Sequence, residues 1–300
     1  MRRTPRRSPR GFTLAEILIA MIIVAIIGAA TGRLLLNENR FFDQQTNLKT
    51  ARRVARSSTT ILLSDLRMVQ DSGGVDSVTA DGKLIRIRVP YRFGLVCGTN
   101  LTTTTVSMLP ADSAMTAMSV YAGFAWRDTS AAGGRYTYIV PPFPQTTNRP
   151  TAAASPSTCT GSGAGQAQIR TVSMSGRTGD LLDLTSLAPS GAPVAASMFF
   201  WQHVTYSFAA SGIYSGKIGL FRNVQGGTNE EIMAPFDTSA RFRFYQTGDD
   251  TSRVTPPAVG NIVGMDIVAN AISPNAVSNN STNSPGKIVT SVFFNNVRAY

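Results

Sequence analysis

Histidine occurs once in these 300 residues, at His203, and cysteine twice, at Cys97 and Cys159. A single histidine excludes a histidine-cluster metal site and confines any conventional Ser-His-Asp triad to the surroundings of His203. That residue sits in the aromatic, β-prone run 199–208, where it reads as a packed side chain. Asp180 with Asp183, and Asp249 with Asp250, lack the ligand spacing of a calcium loop and read as solvated turns. The glycine-rich run 161–165 is followed by no Lys-Ser/Thr and preceded by no strand, so it is loop rather than a phosphate cradle. No internal repeat is evident. These absences leave no catalytic constellation, cofactor site or metal site, and they point away from an enzyme.

Charge is also scarce where it matters most. From Phe12 to Ala30 there are 19 residues, and Glu16 is the only charged one. At 1.5 Å per residue a helix over that stretch is about 28 Å long, close to the hydrocarbon thickness of a bilayer. Residues 1–11 hold five arginines and no acid, a bias that keeps the N-terminus cytoplasmic and exports the remainder of the chain. Glu16 is the anomaly. An acid at the centre of a spanning helix costs about 2.5–3.5 kcal/mol and less near an end, so its presence calls for a function.

Gly11-Phe12-Thr13-Leu14-Ala15-Glu16, followed by the apolar run 17–30, resembles the cleavage and methylation motif of type IV pilin-like proteins. The resemblance implies that a prepilin peptidase cuts between Gly11 and Phe12 and methylates the new Phe12 amine. It also implies that the apolar helix stays on as the polymerisation element. Glu16 is then the assembly residue, paired with the Phe12 amine of its own or the next subunit, because an unpaired carboxylate among bundled apolar helices is costly. Two plainer readings compete. One is a secretory signal cut near Gly28-Ala29-Ala30. The other is a simple signal anchor, which accounts for neither Glu16 nor the Gly-Phe junction.

The sequence divides into a basic leader (1–11), a membrane and polymerisation helix (12–32), an amphipathic continuation (33–72) and an exported head (73–300). In the continuation Leu48, Ala51, Ala55, Ser58, Leu62, Leu66 and Val69 recur at steps of three and four, with Val54, Ile61 and Met68 widening the stripe. Lys49, Arg52, Arg53, Arg56 and Arg67 project from the other side. Asp65 falls on the apolar side, with Arg86 or Arg88 as its expected partner. The run 70–74 supplies the stop. Gly28 and Gly32 read as a flexible spot where the helix leaves the membrane. Beyond residue 74 the pattern turns to strands: 83–89, halted by Pro90, then 117–126, 136–140, 168–174, 199–208, 217–222, 241–245, 261–268 and 287–297. Long Pro/Gly-rich loops separate them at 141–166, 247–260 and 273–286. The fold class is α+β, a long N-terminal helix on a β-rich head.

Net charge is +11, but the leader supplies +5 of it, and residues 71–300 hold sixteen bases against thirteen acids. A nearly balanced head disfavours nucleic acid as a partner. In an oxidising exterior compartment, the pair Cys97 and Cys159 reads as a bridge closing a loop of about 60 residues. Such a bridge is worth about 4 kcal/mol in the entropy model. Two buried thiols are the other reading.

Glu230-Glu231-Ile232-Met233 followed by 240–245, together with the helix end 60–67, is similar to the large minor pilins and J-type minor pseudopilins. That similarity implies a minor subunit that initiates or caps a type IV pilus-like or type II secretion filament. The alternative is a tip adhesin or DNA-uptake subunit of such a filament. Either way the implied partners are other pilin or pseudopilin subunits, prepilin peptidase and the bacterial inner membrane. The protein would cross that membrane once, then enter the filament or its tip.

Overall fold

Fifty-three residues, Leu14–Leu66, form one unbroken helix, α1, in the computed structural model. The structure describes residues 13–70, 73–100, 102–108, 120–128, 135–141, 150–152, 173–174, 177–178, 181–186, 190–225, 227–273 and 286–294. No proline falls inside α1, and the helix is continuous through Gly28 and Gly32. It ends sooner than the stop signal at 70–74 suggests. Arg67 is the C-cap, and Met68 and Val69 donate to the Asp65 and Leu66 carbonyls in a tightened last turn.

The two halves of α1 differ in what surrounds them. From residue 13 to 46 every described side chain is exposed. From Ala51 onward one face is buried: Ala51, Val54, Ala55, Ser58, Leu62, Leu66 and Val69 all enter the head core. Met68 does not join them; once the helix has ended it turns outward and is exposed.

The head comprises β1 (Val75–Val78), β2 (Leu84–Asn100), β3 (Thr103–Met108), β4 (Gly123–Arg127), β5 (Tyr136–Ile139), β6 (Thr151–Ala152), β7 (Ser173–Met174) and β8 (Arg177–Thr178). It continues with β9 (Leu181–Thr185), β10 (Ser197–Ala210), β11 (Ile218–Val224), β12 (Asn229–Phe236), β13 (Arg241–Gln246), β14 (Ile262–Ala271) and β15 (Gly286–Phe293). All but the small β7–β8 ribbon belong to one antiparallel sheet, ordered β13-β14-β12-β11-β10-β2-β3-β9-β6. Beside this path β1 pairs with β2, β15 with β14, β4 with β10, and β5 with β4.

The 14-residue strand β10 is the hub, pairing with β2 along its length, with β4 at its start and with β11 at its end. Both of its faces are covered, which explains the near-continuous aromatic run. Val204, Tyr206 and Phe208 face the core under α1, together with Ile85, Ile87, Phe242 and Ile267. Phe199 and Trp201 face the opposite way, into a second cluster with Ala122, Ala125, Tyr136 and Tyr138.

Pro90 does not halt β2, which runs on to Asn100. Trp201 pairs with Pro90 and Phe200 with Arg92, so Tyr91 is the extra residue of a β-bulge. A bulge is one of the few places a sheet interior takes a residue without an N–H. The strands expected at 199–208, 217–222, 241–245 and 261–268 are present as β10, β11, β13 and β14. The candidate at 117–126 shrinks to β4, and most of the one at 168–174 lies outside the described residues. Of the two aspartate pairs, Asp183 lies within β9, where its Oδ1 accepts from Thr105 Oγ1 at 2.6 Å. Asp249 heads a turn, accepting from the Thr251 amide at 2.9 Å and pairing with Arg253. Among the described residues no three His, Cys, Asp or Glu side chains converge on one point.

Candidate assembly site

Thr13 is the N-cap of α1, with extended backbone, and Glu16 occupies the third helical position, so the two form a capping box. The Glu16 amide donates to Thr13 Oγ1 at 3.3 Å. In return Glu16 Oε2 accepts from the Thr13 amide at 2.9 Å and from its hydroxyl at 3.1 Å. The helix therefore begins because two of its orphan N–H groups are satisfied by one Thr-Leu-Ala-Glu segment. The carboxylate folds back toward the positive end of the helix dipole instead of projecting sideways. Among the described residues its second oxygen, Oε1, makes no hydrogen bond.

This places the Glu16 carboxylate on the backbone amide next to residue 12. Gly11 and Phe12 themselves, the expected cleavage and methylation residues, lie outside the described residues. Cys159 does too, whereas Cys97 is a buried residue of β2. Below Glu16 a shallow groove follows the helix along Ile17, Ala20, Met21, Val24 and Ala25. Large apolar side chains from Leu14 to Leu36 stand in the open, and α1 is long and apolar enough to cross a membrane. A surface of that kind calls for lipid or another apolar helix.

Two polar clusters lie on opposite faces of the head sheet, and the first fixes the head to the upper half of the helix. At the first, Tyr206 Oη donates to Asp65 Oδ2 at 2.7 Å, while Arg222 Nη2 and Nε donate to the same oxygen at 3.0 and 3.2 Å. Tyr206 and Arg222 are direct cross-strand partners on β10 and β11. Burial, and then the Asp65 charge, push the Tyr206 phenol upward; burial opposes the Arg222 cation, but Asp65 and Tyr206 outweigh it and raise its pKa. The expectation that Asp65 pairs with Arg86 or Arg88 is thereby corrected. Ile85 and Ile87 face α1, so strand alternation turns both arginines to the other side of the sheet.

There they form the second cluster. Arg88 Nη2 donates to Asp76 Oδ1 at 2.5 Å and stacks over Trp201 and Tyr138, with 5.1 and 5.3 Å to the ring centroids. Arg86 Nε donates to His203 Nδ1 at 2.9 Å. His203 is buried edge-on to Trp201, and burial drives its pKa down from 6.5 to about 4, with Asp76 opposing and both arginines assisting. It is neutral at pH 7, so its 3.5 Å approach to Asp76 is not an ion pair. As the sequence suggests, it is a packed residue.

Residues 6–32 match the family model of the prokaryotic N-terminal methylation motif. The chain is type IV pilin-like. No curated protein and no solved structure matches it. The motif implies processing by prepilin peptidase and assembly with other pilin subunits, and with the apolar helix it fits anchoring in the inner membrane. Proteins of this pilin-like class are structural rather than catalytic. What sequence reasoning missed in this pilin-like N-terminus is Thr13. Its signal was the Thr-x-x-Glu spacing, a capping box directly ahead of an apolar run.

Proposed function

We propose that this chain is a minor pilin or pseudopilin that initiates or caps a type IV pilus-like or type II secretion filament, with Glu16 as its assembly residue. The observation that carries the proposal is the Glu16 carboxylate. It sits against the amide one residue from the expected new N-terminus, at the head of a stretch, 17–30, that is apolar and exposed throughout. Once Gly11 is removed, the Phe12 amine is the nearest strong cation available to it, within the subunit or from the next one. A large head supports a minor role over a shaft subunit, as does its similarity to the large minor subunits.

In this reading the N-terminus is cytoplasmic, the head is exported, and Cys97 is bridged to Cys159. No described cysteine is a free thiol, which supports the bridge. Peptide mass spectrometry of protein taken from membranes and from sheared filaments tests the reading. It should recover an N-methylated Phe12 peptide and a linked Cys97–Cys159 pair, with the subunit present in the filament fraction at low copy. A mature start near Thr31 would replace the proposal with an ordinary secretory signal.

A further inference from the structure

We infer that the outward face of α1 at Lys49, Arg52, Arg53 and Arg56 docks the acidic helix face of a different subunit and excludes a second copy of this chain. The inference rests on the pilin-like reading of the N-terminus. All four side chains are exposed, and none has an ion pair or hydrogen bond among the described residues. At about 100° per residue they share an arc of about 100°, on the far side of the helix from Ala51, Ala55, Ser58 and Leu62. No acid occurs between Asp43 and Asp65.

The arrangement does nothing for folding. Lys49–Arg53 and Arg52–Arg56 are like-charged at four residues' spacing, Lys49–Arg52 and Arg53–Arg56 at three, and each adjacency weakens an isolated helix. Two basic groups of the head that lie against its packed side chains have acids beside them, Asp65 for Arg222 and Asp76 for Arg88. The unpaired stripe lies instead on the surface that continues the exposed apolar half of the helix, through Phe42 and Leu35.

Two other occupants of such a face fit poorly. Lipid headgroups are too far away: Lys49 stands about 25 Å up the helix from Gly32, well beyond a screening length of about 8 Å. A second copy would bring the same four cations. The acids on this line of the helix are Glu38 and, 22 residues below it in the membrane half, Glu16, so at any axial offset at most one of them faces the stripe and the other cations stay opposed. An acidic helix from another subunit satisfies the whole stripe, and like-charge exclusion makes the pairing heterotypic.

The test uses the full chain in its own host, with a photo-crosslinking amino acid replacing the exposed Gln45 at the edge of the stripe. The expected adduct joins this chain to a different pilin-like subunit with an acidic helix face. The combined reversal Lys49→Glu, Arg52→Glu, Arg53→Glu and Arg56→Glu should lower its yield at least tenfold. Compensating acid-to-Lys changes in the partner should restore it. Cleavage and membrane level of the reversed chain should match the wild type, which keeps this result separate from any failure of the pilin-like reading. A homodimeric adduct, an adduct insensitive to reversal, or no adduct would overturn the inference. So would duplex DNA binding by the purified chain that the reversal abolishes, since that would assign the stripe to nucleic acid.

Discussion

Arg222 reaches across from β11 to place Nη2 3.0 Å from Asp65 Oδ2, one residue before the last of α1. Residues 157 apart in sequence are thus joined where the helix ends inside the head, with Tyr206 hydrogen-bonded to both. Asp65→Ala removes the anion from this cluster and leaves a buried phenol and a half-buried guanidinium without this acceptor. We expect a loss of about 2–4 kcal/mol. Arg222 is more exposed, so Arg222→Ala should cost less, about 1–2 kcal/mol. Denaturant unfolding of the two single variants and the double variant measures the coupling; additive losses would show that the pair does not interact.

His203 gives the head a pH dependence of known sign. Its pKa falls from 6.5 unfolded to about 4 folded, so between those values the unfolded chain binds the extra proton. Stability from this group is complete above pH 6.5, declines as pH drops toward 4, and totals about 3 kcal/mol at most. A His203→Gln variant should be less stable at pH 7 but should show a flatter stability profile between pH 6.5 and 4 than the wild type. Parallel profiles would mean that His203 is not held neutral.

Gly286 sets how closely the head approaches the helix. A Cβ there would lie 2.9 Å from both the carbonyl carbon and the Cβ of Ala51. Gly286→Ala therefore forces α1 away from β15, and overpacking of this kind costs about 1–3 kcal/mol. Gly260→Ala, where an added Cβ meets nothing within 4 Å, is the control and should be close to neutral. Equal thermal midpoints for the two variants would contradict this packing.

Much of this architecture was legible because single residues obeyed one period. Ala51, Ala55, Ser58, Leu62, Leu66 and Val69 kept the helical spacing and all are buried. Phe242 and Phe244 alternate with Arg241 and Arg243 and mark β13. Among the strands that escaped notice, β3 buries polar side chains whose partners are remote in sequence. In β3, Thr104 shares a hydrogen bond with Ser190 at 2.7 Å, and Thr105 donates to Asp183 at 2.6 Å. A Thr-rich run reads as loop until those partners are known. The partner of Asp65 was misjudged by matching charge without using strand alternation, which already sent Arg86 and Arg88 to the far face. At the N-terminus the special character of Glu16 was plain from its isolation, while its geometry depended on Thr13.

Thr13 also makes the central claim testable, because Glu16 has two separable roles. Glutamine at the third helical position sustains a capping box as glutamate does, but it carries no charge; alanine does neither. If Glu16 serves only to start the helix, Glu16→Gln should assemble normally and Glu16→Ala should be impaired. If its charge pairs with the Phe12 amine, both should fail alike, since losing one member of a buried pair costs about 3–5 kcal/mol, two orders of magnitude or more in an assembly equilibrium. The deciding measurement is the ratio of subunit in sheared filaments to subunit in membranes for wild type, Glu16→Gln and Glu16→Ala, together with filaments per cell. We predict normal cleavage and membrane levels for all three, with ratio and filament number strongly reduced for both variants. A Glu16→Gln variant that matches the wild type in both would contradict the assembly role of the Glu16 charge.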